Sequence, residues 1–305
     1  MNRADKNYLH FTQFVLFSVF LVIVAGSVVR MTQSGMGCPD WPRCFGRWIP
    51  PVNASQLPPD YEKYLKKQDI DHTFNVFHTW TEYINRLTGA LLGLWLVIHV
   101  GWSFKKYFRT RPSLFWISSL LLVMVAFEAW LGKLVVDANL AVVKITAHML
   151  AALVIAAVTI VIIQRVNKKT PVQDKELKWL ANIALLCLLV QVILGTEVRE
   201  QIDEISKSLN YIQRDSWISR LNVFFTLHKS FAWVAALACV VVFWKSLSYP
   251  TVSKTGAWIF VTVLASMGLG LAMTYFHMPA LAQPLHLLCA TILFMLVFAL
   301  RLRLK

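Results

Sequence analysis

Charged residues are scarce in this sequence of 305 residues. Asp, Glu, Lys and Arg together make up 15% of the chain, whereas hydrophobic residues make up 57%. Soluble globular domains contain about 25% charged and about 45–50% apolar residues. The shortage of charge therefore argues against an ordinary soluble domain and favours a protein that lies in a membrane.

Acidic residues are the scarcer of the two charged classes, with 16 Asp and Glu against 30 Lys and Arg, for a formal net charge of +14. A basic protein can bind nucleic acid, but here the basic residues stand in short segments between long apolar runs. That distribution follows the positive-inside rule of membrane proteins. We therefore expect membrane lipid, and no nucleic acid, as a partner.

No cleavable signal peptide is expected, because the first apolar run is too long and lacks a small-residue cleavage site. The basic connections place both termini in the cytoplasm and the segments 32–76 and 200–221 on the outer side. The fold class is an all-α polytopic membrane protein. Windows of at least about 18 mostly apolar residues predict eight membrane helices, at 11–31, 77–102, 113–136, 142–163, 179–199, 222–245, 256–276 and 283–301.

An internal repeat relates the two halves of the chain. Gly132 and Gly270 each stand sixteen positions before a histidine, which is His148 in the first half and His286 in the second. Such matching spacings indicate two copies of one four-helix unit in the same orientation.

The first and fifth predicted helices also end alike, with Arg30 and Arg199 each four positions after a glycine. We therefore expect two pseudo-repeated four-helix bundles, which are an ordinary arrangement for binding a cofactor between helices. The N-terminal half is predicted at 1–166, a cytoplasmic linker at 167–178 and the C-terminal half at 179–305.

Histidines within the predicted helices are candidate haem ligands. His228 and His286 lie a few residues inside the outer surface on two helices of one half, which suits bis-histidine ligation of a haem. His148 supplies the corresponding ligand in the first half, where Asn85 parallels His228 and leaves an open iron position. His78 is an alternative ligand there, although about 10.5 Å of helix rise separates it from Asn85. Each histidine could instead be a packing residue, and zinc is disfavoured because no thiolates or carboxylates converge.

Glu82 and Arg86 are ionisable residues at the start of an apolar run. They stand four positions apart, in salt-bridge order on one helix face. Ionisable groups in a membrane segment cost roughly 2.5–3.5 kcal/mol each and usually face a bundle interior or a cofactor. The pair is therefore either structural or part of a site. Arg30, Arg86 and Arg199 are candidates for haem propionate contacts, with interfacial snorkelling as the alternative.

Cysteine is rare as well, with five in the chain. Cys38 and Cys44 both fall in the outward segment 32–76, and an oxidising compartment allows them to form a disulfide. A structural bridge is the favoured interpretation, and a redox-active one stays open because exposed, short-loop disulfides can be labile. The outward segment 200–221 contains no cysteine, and its apolar spacing is compatible with an interfacial helix.

Taken together, these motifs resemble the haem A synthases along nearly the whole chain. The chain departs from that family's pattern at Asn85, where a histidine is common, and in lacking a second outward cysteine pair. The resemblance is carried by Gly26-Ser-Val-Val-Arg30, Ser34-Gly-Met-Gly-Cys38-Pro-Asp-Trp-Pro-Arg-Cys44, Glu82-Tyr-Ile-Asn-Arg86 and the order of His148, His228 and His286.

The resemblance implies an oxidoreductase that converts the C8 methyl group of haem O into a formyl group. Successive hydroxylations and loss of water would give haem A for cytochrome c oxidase. It also implies that His148 in the N-terminal half ligates the substrate haem, and that His228 and His286 ligate haem b as the cofactor. Glu82 is then the catalytic carboxylate, and the outward cysteine pair matches the family's disulfide.

The same resemblance implies the bacterial inner (plasma) membrane as the location. Haem O and haem A are the expected small-molecule partners, and a haem O synthase (a protohaem farnesyltransferase) and cytochrome c oxidase assembly factors the expected proteins. Two other functions stay open. A quinone-linked carrier with two haems b would give Glu82 no role and would prefer complete ligand pairs in both halves. A transporter would place its sites near the membrane midplane.

Overall fold

The computed structural model describes residues 3–65, 74–137 and 142–305. Within these ranges no β-strand is formed, and two isolated bridges join Cys44 to Arg47 and Val172 to Leu304. The predicted outward segment 32–76 lies partly outside the described residues, at 66–73. Nine α-helices are described: α1 (Arg3–Met31), α2 (Glu62–Leu65), α3 (Val76–Tyr107), α4 (Pro112–Asp137), α5 (Val142–Asn167), α6 (Lys175–Ser208), α7 (Val223–Ser246), α8 (Pro250–Tyr275) and α9 (Ala282–Arg301).

Eight of these helices, all except α2, are long and apolar enough to cross a membrane. A helix pairs its backbone N–H and C=O groups within one segment, as hydrocarbon surroundings require. Large aromatic side chains such as Trp116, Trp179 and Trp244 are exposed on these helices, as expected where lipid rather than water is the neighbour. The predicted fold class, an all-α polytopic membrane protein, is confirmed.

Polar residues and a proline mark where several helices begin. The side chain of Asn75 accepts a hydrogen bond from the amide of His78 (3.2 Å) at the start of α3. Asp174 accepts one from the amide of Leu177 (2.9 Å) at the start of α6. Pro250 occupies the first turn of α8, where its missing N–H costs no helix bond. These caps satisfy amides that the helix itself leaves unpaired.

Asp174 also links the start of α6 to the turn before α8. Its carboxylate accepts a hydrogen bond from the Tyr249 hydroxyl at 2.6 Å. Burial works to raise the pKa of Asp174, but hydrogen bonds from Tyr249 and from backbone amides outweigh it and hold the pKa below its ordinary value. The ionised form of Asp174 is therefore the one that the folded protein stabilises.

The chain divides into two compact units, Met1–Ile163 and Gln164–Lys305. In unit one, α3 packs against both α1 and α4. In unit two, α6 packs against α7 and α9, and α8 packs against the same two helices. Unit two is thus a closed ring of four helices, the arrangement of a four-helix bundle.

The core of unit two is apolar and closely packed. Leu188, Cys239 and Val263 are among its buried side chains. A Cβ on Gly256 would overlap the Ser246 hydroxyl oxygen, which shows how closely α7 and α8 approach. Because lipid is as apolar as these side chains, such contacts stabilise the bundle mainly by van der Waals packing.

The core of unit one contains buried polar side chains near the N-terminal end of α1. His99 on α3 lies 3.0 Å from the Thr12 hydroxyl on α1 through Nε2. Its ring stacks on Tyr8, with ring centroids 4.7 Å apart. The Tyr8 hydroxyl in turn lies 3.0 Å from the Ser118 hydroxyl on α4. His99 is therefore a hydrogen-bonded packing residue that joins α1 to α3.

Helix α6 is longer than the predicted span 179–199. It runs to Ser208, so the first part of the segment 200–221 continues a membrane helix and is not a separate interfacial helix. Ile202 is buried there and packs with Trp217 and Met278. Burial of this small apolar cluster stabilises α6 beyond the point in the sequence where charged residues begin.

Candidate functional site

The cysteine-containing segment of unit one is a compact loop. Cys38 and Cys44 form a disulfide, as the sequence predicted. The Asp40 carboxylate closes the same loop by accepting hydrogen bonds from the amides of Phe45 (2.6 Å) and Gly46 (2.9 Å). Both cysteines are buried, which favours the structural interpretation over an exposed, labile bridge.

This disulfide loop lies directly on the first turns of α3. The Thr79 hydroxyl donates a hydrogen bond to the carbonyl oxygen of Gly37 at 3.0 Å. A Cβ on Gly37 would overlap the carbonyl group of His78. Glycine is therefore required at position 37 because the loop backbone and the α3 backbone touch.

Glu82 lies beneath the loop and is 3% exposed. Its Oε2 accepts a hydrogen bond from the amide of Cys38 at 2.7 Å. Its Oε1 accepts hydrogen bonds from Nε of Arg86 (3.1 Å) and from Nη2 of the same side chain. The carboxylate is thus fixed in position: Oε1 accepts two hydrogen bonds, while Oε2 accepts one and keeps its second lone pair for a further hydrogen bond.

All five N–H donors of Arg86 are used within the protein. Besides Nε and one Nη2 donor on Glu82, Nη1 donates to the carbonyl oxygens of Asp40 (2.5 Å) and Arg43 (3.1 Å). The second Nη2 donor reaches the carbonyl oxygen of Cys38 at 2.8 Å. Arg86 thus holds the loop through these contacts, and a propionate could bind it only by displacing one of these acceptors.

In unit two, His228 on α7 and His286 on α9 face each other. Their ring centroids are 6.5 Å apart, and the ring planes are inclined by 73°. Two metal–nitrogen bonds of about 2 Å each, together with the half-width of each ring, come to roughly this separation. The pair therefore fits a single iron ion held between two imidazoles, as in a bis-histidine haem.

Two further groups contact ring nitrogens of this histidine pair, and neither was predicted from the sequence. Nδ1 of His286 lies 3.0 Å from the backbone carbonyl of Ser266, which leaves Nε2 as the nitrogen available to a metal. The amide nitrogen of Gln191 on α6 lies 3.1 Å from Nδ1 of His228. Gln191 Oε1 is buried and has no hydrogen-bond partner among the described residues. The same Gln191 nitrogen donates a hydrogen bond to the backbone carbonyl of His228 at 3.0 Å, so Gln191 holds both the ring and the backbone of that residue.

Each of the four candidate ligand positions faces a glycine of a neighbouring helix. A side chain on that glycine would fill the space beside the candidate ligand, so the glycines leave room for a flat group. Asn85 in unit one stands against its glycine as His228 does in unit two. A Cβ on the glycine would contact the facing side chain in the pairs Gly26–Asn85 (3.9 Å), Gly132–His148 (3.7 Å), Gly195–His228 (3.1 Å) and Gly270–His286 (3.5 Å).

His148 of unit one has an acidic neighbour. Oε2 of Glu128 on α4 contacts Nδ1 of His148 on α5. Arg30 at the end of α1 lies in the same region, because its Nη1 is 3.8 Å from the sulfur of Met149. Unit one thus brings Arg30 close to His148.

Arg199 of unit two lies near the start of α9. Its Nη2 pairs with Asp203 at 2.8 Å, and its Nη1 donates to the side chain of Gln283. Because Gln283 stands three positions before His286, the guanidinium is held at the same end of the bundle as the histidine pair.

The predicted site residues therefore form three groups. Glu82, Arg86 and the disulfide loop make one, and His228 with His286 makes another. The third consists of His148 and its neighbours. On α3, Asn85 follows Glu82 by three positions and so lies on the same side of the helix.

Comparison with known proteins finds relatives along the chain. A family model described as cytochrome oxidase assembly protein, COX15-CtaA, matches residues 10–298. The Heme A synthase of Shewanella oneidensis is 26% identical over 212 residues, which are 68% of this chain and 62% of that protein. The Heme A synthase of Flavobacterium johnsoniae is 25% identical over 296 residues, 84% of each chain.

A third relative, the Heme A synthase of Geobacillus thermodenitrificans, is 28% identical over 133 residues, which are 43% of this chain and 33% of that protein. The alignments thus span less than two thirds of the Shewanella and Geobacillus proteins and a larger share of the Flavobacterium protein.

Proposed function

The chain belongs to the COX15-CtaA family of cytochrome oxidase assembly proteins, and from this premise we propose that it is a haem A synthase. In this proposal it oxidises the C8 methyl group of haem O to a formyl group. The observation that carries the proposal is the pairing of a bis-histidine pocket in one unit with a single, glycine-flanked histidine and a fixed carboxylate in the other.

Unit two is proposed to hold haem b. His228 and His286 would hold its iron, with the Ser266 carbonyl orienting His286 and the Gln191 amide orienting His228. When bound, haem b supplies one-electron transfer, the usual use of a closed bis-histidine site. Arg199 is a candidate for contact with its propionates, because the guanidinium lies at the same end of the bundle.

Unit one is proposed to hold the substrate, haem O, on His148. Asn85 stands where unit two has His228, and an amide is not an ordinary haem ligand. The opposite face of the substrate iron is thereby left open to exchange and reaction. Arg30 is the candidate for propionate contact in this unit because it lies near His148. A carrier with two haems b would need a second strong ligand in place of Asn85.

Glu82 is proposed as the catalytic carboxylate. Hydrogen bonds from Cys38 and Arg86 hold it before substrate arrives, so no reorganisation of the carboxylate is required during reaction. A fixed negative charge beside the substrate edge stabilises positive charge that develops on the oxidised methyl carbon. Oε2 of Glu82 accepts one hydrogen bond and keeps a lone pair available to accept a proton from that carbon.

The location proposed is a bacterial plasma membrane, with both termini in the cytoplasm. The disulfide loop and the first residues of α1 lie at opposite ends of that helix, and disulfides persist outside the reducing cytoplasm. The basic segments between helices lie on the cytoplasmic side by the positive-inside rule. A haem O synthase that hands over its hydrophobic product and cytochrome c oxidase assembly factors are the proposed protein partners.

The test is haem analysis after co-expression with a haem O synthase. Wild type is expected to accumulate haem A, and Glu82→Gln is expected to stop at haem O or a partly oxidised haem. Glutamine keeps the size of the side chain but has a single acceptor oxygen, so this change removes the charge and can retain the hydrogen bond from Cys38 or those from Arg86, not both. Glu176→Gln, a carboxylate paired with Lys245 in unit two, is the matched control. Absence of haem A in wild type that retains bis-histidine haem b would refute the proposal.

A further inference from the structure

The two repeat-related histidines differ in the group that faces Nδ1. Nδ1 of His286 lies 3.0 Å from the neutral carbonyl oxygen of Ser266. Nδ1 of His148 faces the carboxylate of Glu128. In both units the partner stands twenty positions before the histidine, so one position of the repeat supplies a neutral acceptor in unit two and a charged one in unit one.

The Glu128 carboxylate depends on this contact. Glu128 is 8% exposed. Both of its oxygens and Nδ1 of His148 are buried and have no hydrogen-bond partner in the described part of the chain, so the ionic contact between Oε2 and Nδ1 is the interaction that pairs them. A buried carboxylate is strongly disfavoured unless it is paired. The Nδ1–H group of His148 is the donor that is in place to pair with it.

The same contact prepares the other ring nitrogen of His148. An imidazole that carries its proton on Nδ1 presents the lone pair of Nε2. The His148 side chain is 42% exposed although Nδ1 is buried, so its exposed surface belongs to other atoms. The pairing with Glu128 thus leaves the ligating side of the ring accessible.

We propose that Glu128 is a positioning residue that makes His148 a stronger electron donor than either histidine of unit two. This inference rests on the proposed function, in which His148 ligates haem O. A carboxylate that accepts the Nδ1 proton fixes the tautomer and raises the basicity of the ligand, more than a backbone carbonyl does. The stronger donor favours the ferric over the ferrous form of the iron that His148 ligates.

This difference between the histidine partners suits the proposed roles of the two units, oxidation of the substrate in unit one and electron acceptance in unit two. The reaction at unit one removes electrons from the bound haem, and an anionic partner behind the ligand stabilises the more positive oxidation state. Both histidines of unit two have neutral partners, the Ser266 carbonyl and the Gln191 amide. A site with neutral partners is easier to reduce, as an acceptor of those electrons must be.

The experiment uses the full chain co-expressed with a haem O synthase, as wild type, Glu128→Gln and Glu128→Asp. Resonance Raman spectra of the ferrous protein report the iron–histidine stretching band, which arises from five-coordinate haem and therefore from His148 rather than from the bis-histidine pair. Potentiometric titration gives the reduction potential of each haem.

Glu128→Gln is expected to retain haem, to move the iron–histidine band to lower frequency and to raise the potential of the same haem. A tenfold change in the ferric-to-ferrous equilibrium corresponds to about 59 mV for one electron, and a shift of at least that size is expected. Glu128→Asp, which keeps the charge, should fall between the two, and the haem b potential should stay at its wild-type value.

Glu176→Gln removes a carboxylate of unit two that pairs with Lys245 and should leave the band in place. The proposal is overturned if Glu128→Gln keeps both the wild-type band and the wild-type potential, or if the Gln and Asp variants lose haem equally, which would indicate packing alone. Haem extraction from wild type separates the two hypotheses. Haem A with a band insensitive to Glu128 refutes only this inference, whereas a sensitive band without haem A refutes only the proposed function.

Discussion

Arg86 holds the disulfide loop on α3, and its removal should release that loop. The Arg86 side chain is 14% exposed and that of Glu82 is 4% exposed, so the pair is largely buried. Removing one member of a buried ion pair costs about 3–5 kcal/mol, because the other charge is left unpaired. Arg86→Ala also leaves three loop carbonyls without their donor. We therefore expect the free energy of loop opening to fall by about 3–5 kcal/mol.

Amide hydrogen exchange measures this opening directly. The amides of Cys38, Phe45 and Gly46 donate to carboxylates within the loop cluster and exchange only when it opens. Since about 1.36 kcal/mol is a factor of ten, exchange in peptides covering 36–48 should become roughly a hundred to several thousand times faster in Arg86→Ala. Arg86→Lys should be intermediate, because an ammonium group keeps the charge but loses the forked donors.

Arg199→Ala is the matched control. Arg199 is another arginine of a membrane helix, but it binds Gln283 and Asp203 in unit two, so its removal should not alter exchange in 36–48. The assignment of Arg86 to the loop would be wrong if Arg86→Ala accelerated exchange less than tenfold, or if Arg199→Ala had the same effect.

Three further changes test other contacts. Gly37→Ala should lower the melting temperature of the detergent-solubilised protein, because the added Cβ would overlap the α3 backbone. Gly93→Ala, where a Cβ would meet open space, should not lower it. Equal melting temperatures of the two variants would contradict the close approach of the loop backbone to α3. Gln191→Leu should retain haem b but shift its reduction potential, since Nδ1 of one ligand loses its amide partner. An unchanged potential would show that Gln191 does not influence the site. Tyr249→Phe should lower the melting temperature at pH 7, and the difference from wild type should shrink as the pH falls below about 4. The lowered pKa of Asp174 contributes stability above the pKa of the unfolded state, and this stability is lost as the pH falls through the pKa of the folded state. A difference that persists in acid would show that the effect does not come from Asp174.

The contacts of Glu82 connect the loop to the proposed chemistry. The carboxylate is anchored by the amide of Cys38, one half of the disulfide, and by Arg86, which holds the carbonyl of the same residue. The disulfide therefore limits the motion of Cys38, whose amide donates a hydrogen bond directly to the proposed catalytic carboxylate. This gives the bridge a positional role that its place in the sequence, forty-four residues before Glu82, did not reveal.

Sequence alone determined the membrane fold, because hydrocarbon surroundings impose long apolar helices whatever the details of packing. It also predicted the Cys38–Cys44 disulfide, since two nearby cysteines in an oxidising compartment have few other partners. The end of α6 was not predictable, because continuation to Ser208 depends on the burial of Ile202 against residues distant in the chain.

Only the tertiary structure decided how the polar residues of the candidate site are used. The spacing of Glu82 and Arg86 indicated a pair, but the loop carbonyls that occupy the remaining Arg86 donors come from another segment. Likewise, Glu128 lies within the predicted membrane helix 113–136, and its spacing alone indicates no partner. Its contact with His148 exists because α4 and α5 bring together two side chains twenty positions apart. The periodicity of the sequence indicates which residues are buried, whereas the partner of each buried polar group depends on which helices pack together.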